Sequence, residues 1–267
     1  MDCRKEVRME NKNILVIGLG VSGIACIKGL NRLGANLFVY DEKKQSDEKL
    51  KEVENIKAEY YFGTDEMEKI NMDCLDLAIK SPGIKYEVPI IKKLNEKNVK
   101  VVSDIEAAYM ATDASVVSIT GTNGKTTTTA LMGEIVKKSK KNCKVTGNIG
   151  SGMFYDAVTS HTGDILVAEV SSFQLAGTFR YKPHISIITN ITPDHLDYHH
   201  TMENYIEAKF KNVINQDESD YAILNYEDEI IRSFSGRIKA RKIFFSSERN
   251  LDEGICVKDG RMIFNSQ

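Results

Sequence analysis

A single turn, Thr120-Gly-Thr-Asn-Gly-Lys-Thr-Thr127, limits what this chain can fold into more than any other stretch. It follows an apolar run over 114–120 that reads as a parallel strand. It precedes a helical pattern over 125–138 that ends in a lysine cluster. A glycine-rich turn from strand into helix is the setting of a phosphate loop, where backbone N–H groups of Gly121, Thr122, Asn123 and Gly124 cradle phosphate oxygens. Lys125 would neutralise β/γ oxygens, and the Thr126 hydroxyl would hold Mg²⁺. The spacing departs from G-x-x-x-x-G-K-[ST], because Ile119 stands at the first glycine position. The turn is read as an ATP site, with a chance match as the alternative, and it calls for an α/β fold around a parallel sheet.

The 267 residues, at about 100–200 per domain, suggest two domains. Upstream of the phosphate loop, 13–18 is a nearly continuous apolar run, 22–33 is helical with Gly34 as its stop, and 36–41 is a second strand. Strand, helix and strand in that order form a βαβ unit, so a Rossmann-like parallel-sheet domain is predicted first. Further strands are predicted at 60–62, 74–79 and 100–102, with a helix over 88–98 starting near Pro89. Domain boundaries are placed at 1–110 and 111–267, the second being an ATPase-like central α/β domain. Its strands are predicted at 164–170, 184–190, 220–225 and 241–245, before a weak terminal hairpin.

Within this frame Gly18-Leu-Gly-Val-Ser-Gly23 opens the first helix, and Asp41 closes the next strand. Glycines for a tight turn and an acid for a ribose hydroxyl are what a dinucleotide needs, although any diphosphate suits a helix N-terminus. Packing alone is the competing explanation for the glycines. Lys80-Ser-Pro-Gly83-Ile is either a ligand-contacting turn or simply a turn.

Glu169, in Glu169-Val-Ser-Ser-Phe-Gln174, ends a predicted strand, where open α/β sheets place their ligands. It is a candidate Mg²⁺ ligand with Gln174 as an orienting group, or else a carboxylate capping a turn. His195, in Asn190-Ile-Thr-Pro-Asp-His-Leu-Asp197, stands at the end of the next strand and is drawn to the same site. Tyr198, His199 and His200 read as solvated. In the helix predicted over 202–214, Met202, Tyr205, Ile206, Phe210 and Val213 share a stripe with Lys209 in its middle. Burial would hold that lysine as a neutral, nucleophilic amine able to take up carbon dioxide as a carbamate. A snorkelling lysine over apolar surface is the alternative.

Composition excludes several functions. A net charge of −2 gives no global reason to bind nucleic acid or an anionic membrane, and the lysines at 137–141 read as a solvated helix end. No apolar run approaches the roughly 20 residues that span a bilayer. Charges occupy the start where a signal peptide needs apolar residues. Five scattered cysteines without a C-x-x-C pair fit reduced thiols in a cytoplasmic protein.

Together these motifs resemble the Mur ligases of peptidoglycan synthesis, most closely the D-glutamate-adding branch. The residues that carry the resemblance are Gly18–Gly23, Ser81-Pro-Gly-Ile84, Gly121-Thr-Asn-Gly-Lys-Thr-Thr127, Gly147-Asn-Ile-Gly150, Glu169-Val-Ser-Ser-Phe-Gln-Leu175, Asp194-His-Leu-Asp197 and Ala208-Lys209. The resemblance implies that Gly20, Val21, Ser22, Asp41, Ser81 and Gly83 serve the UDP moiety of a substrate, not NAD. It implies that Asn148, Gln174 and His195 hold the muramoyl-alanine end. Lys125, Thr126 and Thr127 would serve ATP; Thr126, Glu169, His195 and a carbamylated Lys209 would serve two Mg²⁺ ions. The implied substrates are UDP-N-acetylmuramoyl-L-alanine, D-glutamate and ATP, handled by a monomer. The family's third domain and its H-N-x-x-N segment have no counterpart here, so the chain is expected to be partial and doubtful as a ligase on its own. Two rivals remain: a NAD-dependent oxidoreductase built on the N-terminal glycines, and a precursor-binding fragment without turnover.

Overall fold

A computed structural model describes residues 9–265, and Cys3 with the charged start lies outside them. The elements from the start of the chain are β1 (Asn13–Ile17), α1 (Val21–Arg32), β2 (Asn36–Asp41), α2 (Asp47–Lys51), β3 (Glu59–Phe62), β4 (Leu77–Lys80), α3 (Pro89–Glu96), β5 (Val101–Ser103) and α4 (Asp104–Ala111). Then follow β6 (Ser115–Thr120), α5 (Lys125–Lys138), β7 (Cys143–Gly147), α6 (Met153–Val158), β8 (Ile165–Glu169), α7 (Ser172–Ala176), β9 (Ile185–Ile188), α8 (Leu196–His199) and α9 (Met202–Phe210). The last are β10 (Tyr221–Asn225), α10 (Glu229–Phe234), β11 (Arg241–Ser246), β12 (Gly254–Lys258) and β13 (Arg261–Asn265).

The chain divides into two compact units. The first comprises Met1–Ala114, Thr146–Thr162 and Phe173–Phe179; the second comprises Ser115–Val145, Gly163–Ser172 and Arg180–Gln267. The stretches 146–162 and 173–179, which the sequence reading places in the second domain, therefore pack with the first unit. The reason is visible in α6: Gly29 of α1 has no side chain, and the Phe154 ring fills the space its Cβ would occupy.

The first unit holds a parallel sheet in the order β3-β2-β1-β4-β5. Strands β1 and β4 are buried almost end to end because helices cover both faces, which is why their sequences do not alternate. The chain leaves β1 toward β2 on one side and returns as β4 on the other. Such a switch point opens a crevice outside the strands' carboxyl ends. Both the 18–23 loop and the 81–84 turn sit there. The core of this unit gathers Leu15, Ile17, Ile90, Ile91, Leu94 and Val101.

The second unit is built on a sheet ordered β13-β12-β11-β10-β9-β6-β8-β7, parallel from β12 through β8, with β13 antiparallel to β12. Central β6 is flanked by β9 and β8, so the carboxyl ends of three neighbouring strands meet. Helix α5 spans the predicted 125–138. Helix α9 stops at Phe210, four residues before its predicted end, and turns follow. The short α2, α6, α7, α8 and α10 were not anticipated, since one or two turns leave too little periodicity to detect. Among the described residues no helix is long and apolar enough to cross a membrane, and Cys26, Cys74, Cys143 and Cys256 are free.

Candidate functional site

In the second unit the chain leaves β6 through Gly121, whose φ is +152° and whose Cβ, if present, would lie 1.9 Å from the Thr189 hydroxyl. Only glycine fits this approach. Gly124, in the left-handed region at φ +80°, starts α5 without a side chain to cap it. The tip of the loop is held from β9. Asn190 takes the Asn123 N–H at 2.9 Å and gives its own amide to the Asn123 carbonyl at 3.0 Å, while its backbone carbonyl accepts the Thr122 N–H. The Thr189 hydroxyl also donates to the Asn123 carbonyl, and Thr122 Oγ1 lies 3.0 Å from the Tyr205 hydroxyl. Asn190 stood inside a quoted motif, but its part as a clamp was not read from sequence. Its partner lies 67 positions away.

Two ammonium groups converge on one carbonyl. Lys125 Nζ donates to the Gly121 carbonyl at 3.1 Å and to that of Thr122 at 2.9 Å, and Lys209 Nζ donates to Gly121 at 2.7 Å. Lys209 is 2% exposed, with its ammonium over the Tyr205 ring. Burial first, and then the neighbouring Lys125 charge, lowers its pKa from 10.5 to about 7. Of the stripe expected on this helix, Tyr205, Lys209 and Phe210 are buried, Met202 and Ile206 are half-buried, and Val213 is buried just past the helix end. Thr126 Oγ1 donates to Glu169 at 2.7 Å, so the helix hydroxyl and the β8 carboxylate stand side by side.

The loop thus joins Lys125, Thr126, Glu169 and Lys209. His195 occupies the exit from β9, half-exposed, in a left-handed conformation at φ +52° where it starts α8, with Nε2 3.5 Å from Asp194. The reading of His199 as solvated is corrected. It is buried, its Nε2 is 2.9 Å from the Ser172 hydroxyl, and its ring lies near those of Tyr198 and Tyr205. Burial, then the charges of His195 and Lys209, lowers its pKa to about 4, so it stays neutral. The turn into α8 folds the ring inward, and no sequence periodicity marks that.

In the first unit a cavity of about 800 Å³ opens at the switch point. Gly18, Gly20, Val21, Ser22, Asp41, Ser81, Pro82, Gly83 and Asn148 line it, as does Lys43. Val21 is largely exposed there, an apolar side chain facing the space. Each Asp41 oxygen already accepts a backbone N–H, from Leu19 at 2.8 Å and from Lys43 at 3.0 Å. The acid therefore shapes both loops of the cavity, a role beyond the expected ribose contact. Gln174 is not in this lining. It is fully buried and donates to Asp104 at 2.9 Å.

The family profile for the Mur ligase middle domain matches residues 119–263, and that for the MurD-like N-terminal domain of Mur ligases matches 12–103. The chain is 41% identical over 260 residues to the UDP-N-acetylmuramoylalanine--D-glutamate ligase of Alkaliphilus oremlandii, covering 96% of this chain and 57% of that protein. It is also 41% identical, over 257 residues, to the Staphylococcus aureus protein of the same name, covering 96% of this chain and 56% of that one. The chain spans little more than half the length of these relatives. Among solved structures, the Neisseria meningitides UDP-N-acetylmuramate:L-alanyl-gamma-D-glutamyl-meso-diaminopimelate ligase shares the fold. Its TM-score is 0.66 at 14% identity, with 94% of this chain and 85% of that one covered.

Proposed function

The chain belongs to the Mur ligase family, and on that premise we propose that it binds a UDP-linked muramoyl-alanine precursor in its first unit and ATP in its second. In a protein of its relatives' full length, the same residues would serve the joining of D-glutamate to that precursor. The division proposed is 1–110 for the UDP substrate and 111–267 for ATP, with the stretches 146–162 and 173–179 of the second part serving the first unit. We also propose a cytoplasmic monomer acting without nucleic acid or membrane. The observation that carries the reading is the convergence of Lys125, Lys209, Thr126 and Glu169 on one glycine loop.

The chemistry proposed is phosphoryl transfer and then amide formation. A carboxylate oxygen of the L-alanyl end attacks the γ-phosphorus of ATP, ADP leaves, and an acyl phosphate results. The amine of D-glutamate attacks the acyl carbon, loses a proton, and phosphate departs with the bonding pair. Negative charge gathers on non-bridging oxygens in both steps, so fixed N–H groups and the Lys125 ammonium supply the stabilisation. Thr126 and Glu169 offer the hard oxygens that Mg²⁺ prefers, and one carboxylate beside a hydroxyl suits an ion that completes its shell from phosphate and water. Bound there, Mg²⁺ would neutralise charge between the β and γ phosphates. His195 and two such ions belong to the same proposal.

Isothermal calorimetry on this chain, with UDP-N-acetylmuramoyl-L-alanine, NAD and a non-hydrolysable ATP analogue titrated separately, tests the reading. Binding of the UDP ligand and of the analogue is expected, with none for NAD. Binding of NAD alone would overturn it in favour of an oxidoreductase. The UDP ligand binding without the analogue would favour a precursor-binding fragment.

The carbamate on Lys209 has its own test. The fold holds this amine neutral above about pH 7, so carbon dioxide adds to Nζ with release of one proton. Intact-protein mass spectrometry after bicarbonate treatment and trapping should show one added carbon dioxide in the wild type and none in Lys209→Met. The unfolded chain binds more protons between pH 7 and 10.5, so stability should rise with pH across that window. Lys209→Met should flatten that rise. An unmodified wild-type chain with an unchanged stability slope in the variant would refute the assignment.

A further inference from the structure

Lys80 ends β4 fully buried, where an apolar residue would satisfy the strand at no desolvation cost. Its Nζ donates to the carbonyls of Ile84 at 2.8 Å, Ser81 at 3.3 Å and Pro82 at 3.4 Å, and it lies over the Tyr86 ring. An ammonium has three donors, and here one turn wraps them with three carbonyls. All three acceptor residues, with Gly83, line the cavity of the first unit. The turn is fastened to the opposite wall, since Ser81 Oγ donates to the Gly18 carbonyl at 3.0 Å. Facing Lys80 are the carboxylates of Asp104 on α4 and Glu87 in the following loop. Asp104 is buried at the start of α4 and accepts from Gln174 and from the Ser22 hydroxyl, and Ser22 belongs to the glycine loop. One charged centre therefore ties down both walls of the cavity, and Gln174 is bound to it as well.

We propose that Lys80, backed by Asp104, is a positioning residue that holds the 81–84 turn against the glycine loop and so sets the cavity's affinity for a nucleoside diphosphate. The proposal rests on the reading of that cavity as the UDP site. Burial lowers the Lys80 pKa to about 8, against the opposing pull of Asp104 and Glu87. The neutral amine keeps two donors for three carbonyls, so the turn slackens as pH passes that value.

The test is calorimetry of the 267-residue chain with UDP-N-acetylmuramoyl-L-alanine from about pH 6.5 to about 9.5, in wild type, Lys80→Met and Asp104→Asn. Wild-type affinity should fall through pH 8. Lys80→Met should bind about tenfold more weakly at pH 7 and lose that step. Subtracting its curve removes every other titrating group, the ligand's included. Its melting temperature should fall, because three carbonyls and the buried Asp104 carboxylate lose their cation, while its affinity for the ATP analogue should be unchanged. Asp104→Asn keeps the amide and hydroxyl partners but removes the opposing charge, so the step should move below pH 8. This variant decides the matter if Lys80→Met does not fold. Wild-type binding with the same affinity and pH curve in Lys80→Met, or an unmoved step in Asp104→Asn, would overturn the positioning role alone. No binding by wild type at any pH would overturn the UDP reading itself, and the positioning role with it.

Discussion

Lys125→Met should abolish detectable binding of an ATP analogue by this chain, and in a protein of the relatives' full length it should lower turnover about a thousandfold. Methionine keeps the length and flexibility of the side chain, so the loop's backbone path is preserved and only the charge is lost. The side chain now lies folded onto the Gly121 and Thr122 carbonyls. Losing those two part-buried bonds costs about 1–2 kcal/mol each. Gly121 also retains Lys209 as a donor. A triphosphate, by contrast, loses the Lys125 ammonium, and γ-oxygen charge grows as the reaction proceeds. The variant should therefore melt within a few degrees of wild type while failing to bind. A second consequence follows from the shared carbonyl. The Lys125 charge helps push Lys209 toward its neutral form. Removing it should raise the Lys209 pKa and reduce the carbon dioxide found on that amine. An analogue affinity within threefold of wild type, or normal turnover, would refute the role of Lys125.

The parts of this site that could be read from the chain are those dictated by local chemistry. The phosphate loop was legible because a strand, two glycines and a lysine occupy consecutive positions, and α5 begins at Lys125 as that pattern requires. Lys209 was legible because a helix displays every third or fourth residue on one face, so a cation among Tyr205, Ile206 and Phe210 stands out. Gln174 was not. It leaves a conspicuous motif to meet Asp104, 70 positions away, and no periodicity encodes a partner at that distance. Asn190 and His199 were missed for the same reason, each finding its role in a tertiary contact. Lys80 was legible only as the first residue of a turn after an apolar strand, and its meaning depends on three carbonyls of that turn, which curls back over it. The fold class was accessible because βαβ alternation leaves few topologies open. Assignment of 146–162 to the first unit was not, since α6 is short and its docking relies on the bare Cα of Gly29.

Gly23→Ala should destabilise the first unit by about 3 kcal/mol and remove its affinity for the UDP ligand. Gly23 sits in the first turn of α1 with ordinary helical geometry, so backbone strain is not the cause. Space is. An added Cβ would stand 1.9 Å from the Gly18 carbonyl oxygen and 3.3 Å from Ser81 Oγ. No rotamer change relieves a clash with backbone, and the Gly18 carbonyl cannot retreat freely. Its residue is tied to β2 through its N–H to the Tyr40 carbonyl at 2.8 Å, and the carbonyl itself accepts from Ser81. The helix must shift by more than 1 Å or the loop must open, and either change separates the glycine loop from the 81–84 turn. The melting transition should fall by roughly 10 °C, while the ATP analogue, held by the second unit, should bind as before. Gly20→Ala is the informative contrast. Its Cβ would meet nothing within 4 Å, and its φ of −89° is open to alanine, so stability should stay within about 1 kcal/mol of wild type. Gly20 lines the cavity, however, and a methyl there stands where a diphosphate would approach the helix N-terminus. One variant should thus lose stability and affinity together, and the other affinity alone. Equal melting temperatures for the two, or full UDP-ligand affinity in Gly20→Ala, would show that the loop's close packing and its approach to ligand are not the separate demands inferred here.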